Sequence, residues 1–212
     1  MPAGILPDGL YAITDSRLTP HSSLVERVEQ AIAGGARVIQ YRDKLASDGE
    51  RYTLAIALAA LCLRRQVPLI INDDAALAAA VGANGVHLGE ADGTVAAARA
   101  QLGAEAMIGV SCYNSMERAR EAAAQGASYV AFGRFFASRS KPDAVSAGTD
   151  LLCTARRELD VPVAAIGGIS PDNAGPLIAA GANLLAVIHG VFGQEDVVAA
   201  AASYAHHFPA AN

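Results

Sequence analysis

Short apolar runs that stop abruptly at polar residues or glycine, each followed by a helix-length segment, leave few folds open to this chain. The clearest is Pro68-Leu69-Ile70-Ile71, followed at once by Asn72-Asp73-Asp74. A run without alternation reads as a strand covered on both faces, as in a parallel sheet wrapped by helices. Such sheets bind ligands at the carboxyl ends of their strands, where this run places an amide and two carboxylates. Asp74 has a simpler reading as the cap of a helix starting near Ala75.

Read in order, the strands are Gly9–Thr14, Arg37–Tyr41, Pro68–Asn72, Gly85–Leu88, Met107–Ser111, Ser128–Phe132, Val161–Ile166 and Asn183–Ile188. Between them lie helices from Ser22 or Ser23 to Gly34, Asp48 to Arg65, Ala75 to Val81, Thr94 to Gly103, Ser115 to Gln125, Thr149 to Leu159 and Asp172 to Gly181. A last helix runs from Gln194 to His206. A helix-stopping Gly-Ala pair recurs before strands at Gly35-Ala36, Gly126-Ala127 and Gly181-Ala182. Strand-helix units repeated in this way favour a single (β/α)8 TIM barrel over a doubly wound open sheet. One domain is expected over 1–212, with its core at 9–192 and an irregular active-site loop at 133–147.

The composition restricts partners. A net charge of −5 and a pI near 5.5 argue against a nucleic-acid surface, while a local basic pocket for a small anion stays open. No membrane span or export signal is read from the sequence, and the widely spaced Cys62, Cys112 and Cys153 suggest neither a disulfide framework nor a zinc site. These features point to a cytoplasmic protein; monomer and homo-oligomer are both left open.

The mouth of such a barrel would collect Asp15, Gln40, Arg42, Lys44, Asn72, Asp73, His87, Asp92, Ser111, Lys141, Gly167, Gly168 and His189. Asp73 and Asp92 are hard oxygen ligands of the kind that share Mg²⁺ with substrate phosphates, and Arg42, Lys44 and Lys141 add cations for a polyphosphate. Gly167-Gly168 reads as a phosphate cradle, to which Ser138 and Ser140 can add hydroxyls. His87 and His189 read first as structural hydrogen-bonders, and Arg134 and Arg139 as solvent-facing loop charges. Motifs for nucleophilic hydrolysis, zinc proteolysis and P-loop NTP hydrolysis are absent from the sequence.

Seven blocks in order carry a family resemblance: Gly9-Leu10-Tyr11-Ala12-Ile13-Thr14-Asp15, Gln40-Tyr41-Arg42-Asp43-Lys44, Ile71-Asn72-Asp73-Asp74, Val86-His87-Leu88-Gly89-Glu90-Ala91-Asp92, Gly109-Val110-Ser111, Ala131-Phe132-Gly133 and Ala165-Ile166-Gly167-Gly168-Ile169. Over nearly its whole length the chain resembles thiamine-phosphate synthases. The resemblance implies Mg²⁺-dependent joining of hydroxymethylpyrimidine diphosphate to thiazole phosphate, giving thiamine phosphate and pyrophosphate by a dissociative route. It implies pyrimidine diphosphate contacts from Gln40, Tyr41, Arg42, Asp43, Lys44, Asn72, Ser111 and Lys141, with Asp73 and Asp92 on the metal. The thiazole phosphate would meet Ser138, Arg139, Ser140, Gly168, Ile188 and His189, and Lys141, Arg42 and Ser111 would act on the departing diphosphate. The chain departs from the family pattern at Tyr113, Arg134, Ala137 and Ile188-His189. A thiazole tautomerase and a catalytically silent phosphate-binding barrel are the competing readings.

Overall fold

The apolar runs close into a ring. The computed structural model describes residues 6–136 and 147–209. Its parallel strands are β1 (Gly9–Ile13), β2 (Ala36–Tyr41), β3 (Leu69–Asn72), β4 (Gly85–Leu88), β5 (Met107–Tyr113), β6 (Tyr129–Gly133), β7 (Val163–Ile166) and β8 (Leu184–Val187). Each pairs with the next, and β1 pairs with β8, so the sheet is a closed (β/α)8 barrel with no free edge. That closure excludes the open sheet.

Alternation along each strand makes two apolar layers. Tyr11, Ile13, Val38, Ile70, Met107, Tyr129, Ala131, Ala164 and Leu184 point inward and fill the barrel. Their neighbours, including Leu10, Ile39, Ile71, Val130 and Leu185, point outward against the helices. With both faces covered, the strands read as continuous apolar runs.

The outer layer is α1 (Leu24–Ala33), α2 (Asp48–Arg65), α3 (Ala75–Val81), α4 (Val95–Leu102), α5 (Met116–Ala124), α6 (Thr149–Glu158), α7 (Pro171–Ala179), α8 (His189–Phe192) and α9 (Val197–Ala205). No helix among the described residues is long and apolar enough to cross a membrane. The recurring Gly-Ala pairs have a backbone cause. Gly35, Gly126 and Gly181 have φ of 102°, 86° and 118°, a region that favours glycine, and the alanine that follows each is buried.

Several expected boundaries shift. Ser23 precedes α1 without capping it through its side chain; its hydroxyl instead donates to the Pro20 carbonyl, closing a short 3-10 turn. The expected last helix starts later, at Val197, and is preceded by an unexpected four-residue α8, because Ile188 turns the chain out of β8 and His189 opens a short helix there. Asp196 then caps α9, accepting from the Ala199 N–H at 2.9 Å.

Candidate active site

At the carboxyl mouth the inward register of β2, β3, β4 and β5 ends in Gln40, Asn72, His87 and Ser111, which line a cavity of about 1260 Å³. Arg42 and Lys44 reach the same cavity from the turn after β2. Tyr41 and Asp43, expected among the substrate contacts, do not line it. Tyr41 faces the helices, where it packs in the outer layer, and Asp43 is committed to its own turn. The Asp43 carboxylate accepts from the N–H groups of Leu45 and Ala46 at 2.9 and 3.1 Å and meets His21 at 2.7 Å. This turn holds Arg42 and Lys44 toward the cavity.

The two adjacent aspartates after β3 separate in role. Asp74 caps α3, accepting from the Leu77 N–H at 2.8 Å, and pairs with Arg51 at 2.9 Å. Asp73 takes φ of 64°, unusual for a residue with a Cβ, and turns its carboxylate over the mouth, where Lys44 donates to it. Its own N–H donates to the His87 carbonyl at 2.8 Å, which anchors the turn.

Asp92 comes from the loop after β4 and accepts from the Gly89 N–H at 2.9 Å. A Cβ at Gly89 would fall 2.5 Å from its Oδ2, so a larger residue there would push the Asp92 carboxylate aside. Burial pushes the Asp73 carboxyl up, but hydrogen bonds with Lys44 and Asp92 and the Lys44 charge outweigh it and hold Asp73 below the ordinary value. Asp92 is raised, by burial and then by the hydrogen bond and charge of Asp73. Two facing carboxylates, one raised by the charge of the other, call for positive charge, and a divalent cation held by both would offset that repulsion. The pair therefore fits Mg²⁺. Among the described residues no group of three or more His, Cys, Asp or Glu could hold a metal, so this would be a two-carboxylate site completed by other oxygens.

Opposite the aspartates, Gly167 and Gly168 have φ of 107° and 64° after β7, and both line the cavity with Ile188 and His189. A Cβ at Gly167 would fall 2.8 Å from the Arg134 Cα. Arg134, read from sequence as a solvent charge, is half-buried along the cavity wall, because the chain after β6 runs beside the β7 turn and donates the Phe136 N–H to the Gly167 carbonyl at 3.0 Å. Ser138, Arg139, Ser140 and Lys141 lie outside the described residues.

Beneath the mouth a file of side chains crosses the barrel; the sequence pointed to Gln40, His87 and Ser111 but not to Tyr11 and Tyr129 between them. The Gln40 amide donates to Tyr11 Oη at 2.7 Å, Tyr11 Oη lies 2.7 Å from Tyr129 Oη, and Tyr129 Oη lies 2.9 Å from His87 Nδ1. His87 Nε2 in turn lies 2.9 Å from Ser111 Oγ. Burial lowers the His87 imidazole to about 4, against the raising pull of the Asp73 charge, so His87 is neutral at ordinary pH. Gly109 makes room for the file, since a Cβ there would fall 2.0 Å from the Tyr129 ring. Inward parity of two tyrosines on otherwise small or apolar strands was the available signal. Outside the file, Arg118 donates to the Ser111 carbonyl at 2.7 Å and lies 5.8 Å from the Tyr113 ring centre.

The thiamine monophosphate synthase family model matches residues 10–191, nearly the whole barrel. The chain belongs to the thiamine monophosphate synthase family. It is 52% identical over 204 residues to the thiamine-phosphate synthase of Nitrosococcus oceani, covering 96% of this chain and 94% of that protein. The thiamine-phosphate synthase of Marinobacter nauticus is 50% identical over 202 residues, covering 94% and 90%. The solved thiamine phosphate pyrophosphorylase of Pyrococcus furiosus superposes with a TM-score of 0.85 at 37% identity, covering 94% of both chains. As a thiamine monophosphate synthase the chain is an enzyme, a transferase of thiamine biosynthesis.

Proposed function

We propose that the enzyme joins hydroxymethylpyrimidine diphosphate to thiazole phosphate, releasing pyrophosphate and forming thiamine phosphate. One observation carries this reading: the Asp73–Asp92 pair, Lys44 and Arg42 share the mouth with the Gly167-Gly168 turn, so a diphosphate and a second phosphate have separate places. When bound at Asp73 and Asp92, Mg²⁺ would offset negative charge on the diphosphate oxygens. Arg42 and Lys44 hold that diphosphate from the β2 side, with Lys141 from the loop as a third cation. Gln40 and Asn72 orient the pyrimidine, and Ser111 hydrogen-bonds the leaving group. The C–O bond to the diphosphate breaks first, its electron pair staying on the diphosphate, and the thiazole nitrogen lone pair then forms the new C–N bond. Preorganised cations suit this order because the leaving group gains charge in the transition state.

Gly168, Ile188 and His189, with Ser138, Arg139 and Ser140 from the loop, receive the thiazole phosphate. Tyr41 and Asp43 support the site through their turn. The chain acts as one barrel domain with 133–147 as its active-site loop, in the cytoplasm, on small-molecule substrates.

The test is pyrophosphate release with the organic product checked by mass, omitting each substrate and Mg²⁺ in turn. Thiamine phosphate formed only with all three present is expected. Pyrophosphate without a coupled product, or turnover indifferent to Mg²⁺, would refute the assignment.

A further inference from the structure

The file beneath the mouth is short enough for its protons to be counted. Gln40, Tyr11, Tyr129 and His87 are between 0% and 8% exposed, so water does not compete for their bonds. A phenol carries one proton, and a neutral imidazole carries one N–H. Because Tyr11 Oη accepts from the Gln40 amide, its proton goes to Tyr129 Oη. The Tyr129 proton then goes to His87 Nδ1, which leaves the single imidazole proton on Nε2, facing Ser111 Oγ. Ser111 accepts there and keeps its own proton for an acceptor in the cavity. The opposite polarity requires Gln40 to turn its carbonyl to Tyr11, and it spends the Ser111 proton on His87.

We infer that this file is a hydrogen-bond relay of one polarity, anchored by Gln40, which presents Ser111 to the cavity as a proton donor. Tyr11, Tyr129 and His87 are then positioning residues that act through Ser111. The acceptor is an oxygen of the departing diphosphate, a step that rests on the function proposed above. No proton need move; the relay orients a donor before charge develops on the oxygen it meets. It also links β2 to β5 through three intervening side chains, so a change at position 40 is read at position 111.

Histidine-¹⁵N-labelled enzyme, with His87 signals assigned by their loss in His87→Gln, tests the polarity through long-range ¹H–¹⁵N correlations. The expected wild-type spectrum has Nε2 protonated and Nδ1 bare; the reverse tautomer would overturn the inference. Gln40→Glu, measured above the pH at which the buried carboxyl ionises, replaces the donor by a carboxylate that only accepts, so every bond downstream reverses and His87 is expected to switch to the Nδ1-protonated form. An unchanged tautomer would overturn the coupling. Tyr129→Phe cuts the relay and is expected to lower kcat about tenfold, the worth of one hydrogen bond, with the KM for thiazole phosphate unchanged. An unchanged kcat would overturn the positioning role. Undiminished turnover in Ser111→Ala would instead refute the diphosphate contact and leave the tautomer result standing.

Discussion

The two ends of the barrel use charge and backbone strain in opposite ways. At the amino end, left-handed positions between helix and strand are filled by Gly35, Gly82, Gly103, Gly126 and Gly181, with Gln66 after α2 the exception. At the mouth, two such positions belong to Asp73 and Tyr113, whose side chains line the cavity. A residue with a Cβ costs about 1 kcal/mol or more in that conformation. Arg99 repeats the contrast in charge. At the amino end its guanidinium donates to the carbonyls of Gly103, Ala104, Ala106 and Gly126 and ties two connections together. At the mouth, Asp92 is raised against Asp73, and Arg42 meets Asp15 only at 3.4 Å. One end satisfies its polar groups with backbone carbonyls; the other gathers charged side chains around an open cavity.

Asp73→Asn should break the comparison most visibly. Turnover is expected to fall by about 10²–10³-fold, while the thermal midpoint stays close to wild type, as kinetics and calorimetry on one preparation would show. A large loss of stability instead would make the mouth as structural as the amino end.

His87 sharpens it through pH. Its folded pKa of about 4 lies below the unfolded value near 6.5, so the unfolded chain binds more protons between the two. The stability it confers is complete above pH 6.5 and is lost as pH falls toward 4, in total about 3 kcal/mol. Denaturant titrations of wild type and His87→Gln should diverge in that window, and parallel curves would show the imidazole charging freely.

Arg99→Ala tests the other end. A loss of about 2 kcal/mol is expected, read as a midpoint lower by about 4–8 °C, with kcat at low temperature retained. The smallest effect separates two neighbours: Asp74→Ala should cost about 1 kcal/mol as a lost cap and leave turnover within about twofold. A turnover loss comparable to that of Asp73→Asn would mean that Asp74 also serves the site.

Much of this was legible beforehand. Apolar runs covered on both faces, glycine stops and capping residues such as Thr94 and Ser115 are local signals, and the elements follow them. The blocks around Asn72-Asp73 and Gly167-Gly168 marked the mouth because polar groups at strand ends are exceptions to an apolar pattern. Tyr41 and Asp43 were legible as part of a block but not as residues facing away from the cavity, since their contacts with the outer layer and with His21 come from other parts of the chain.

The sequence alone therefore determined the strand-helix order, the family and which polar residues gather at one end, because periodicity and caps act over a few residues. Only the tertiary structure decided which of them face the cavity, that Asp73 and Asp92 contact each other, and that Tyr11, Tyr129 and His87 form one file. Those outcomes depend on strand register around a closed ring, and the hydrogen bonds of the file, between residues up to 118 positions apart, exist only once the ring has closed.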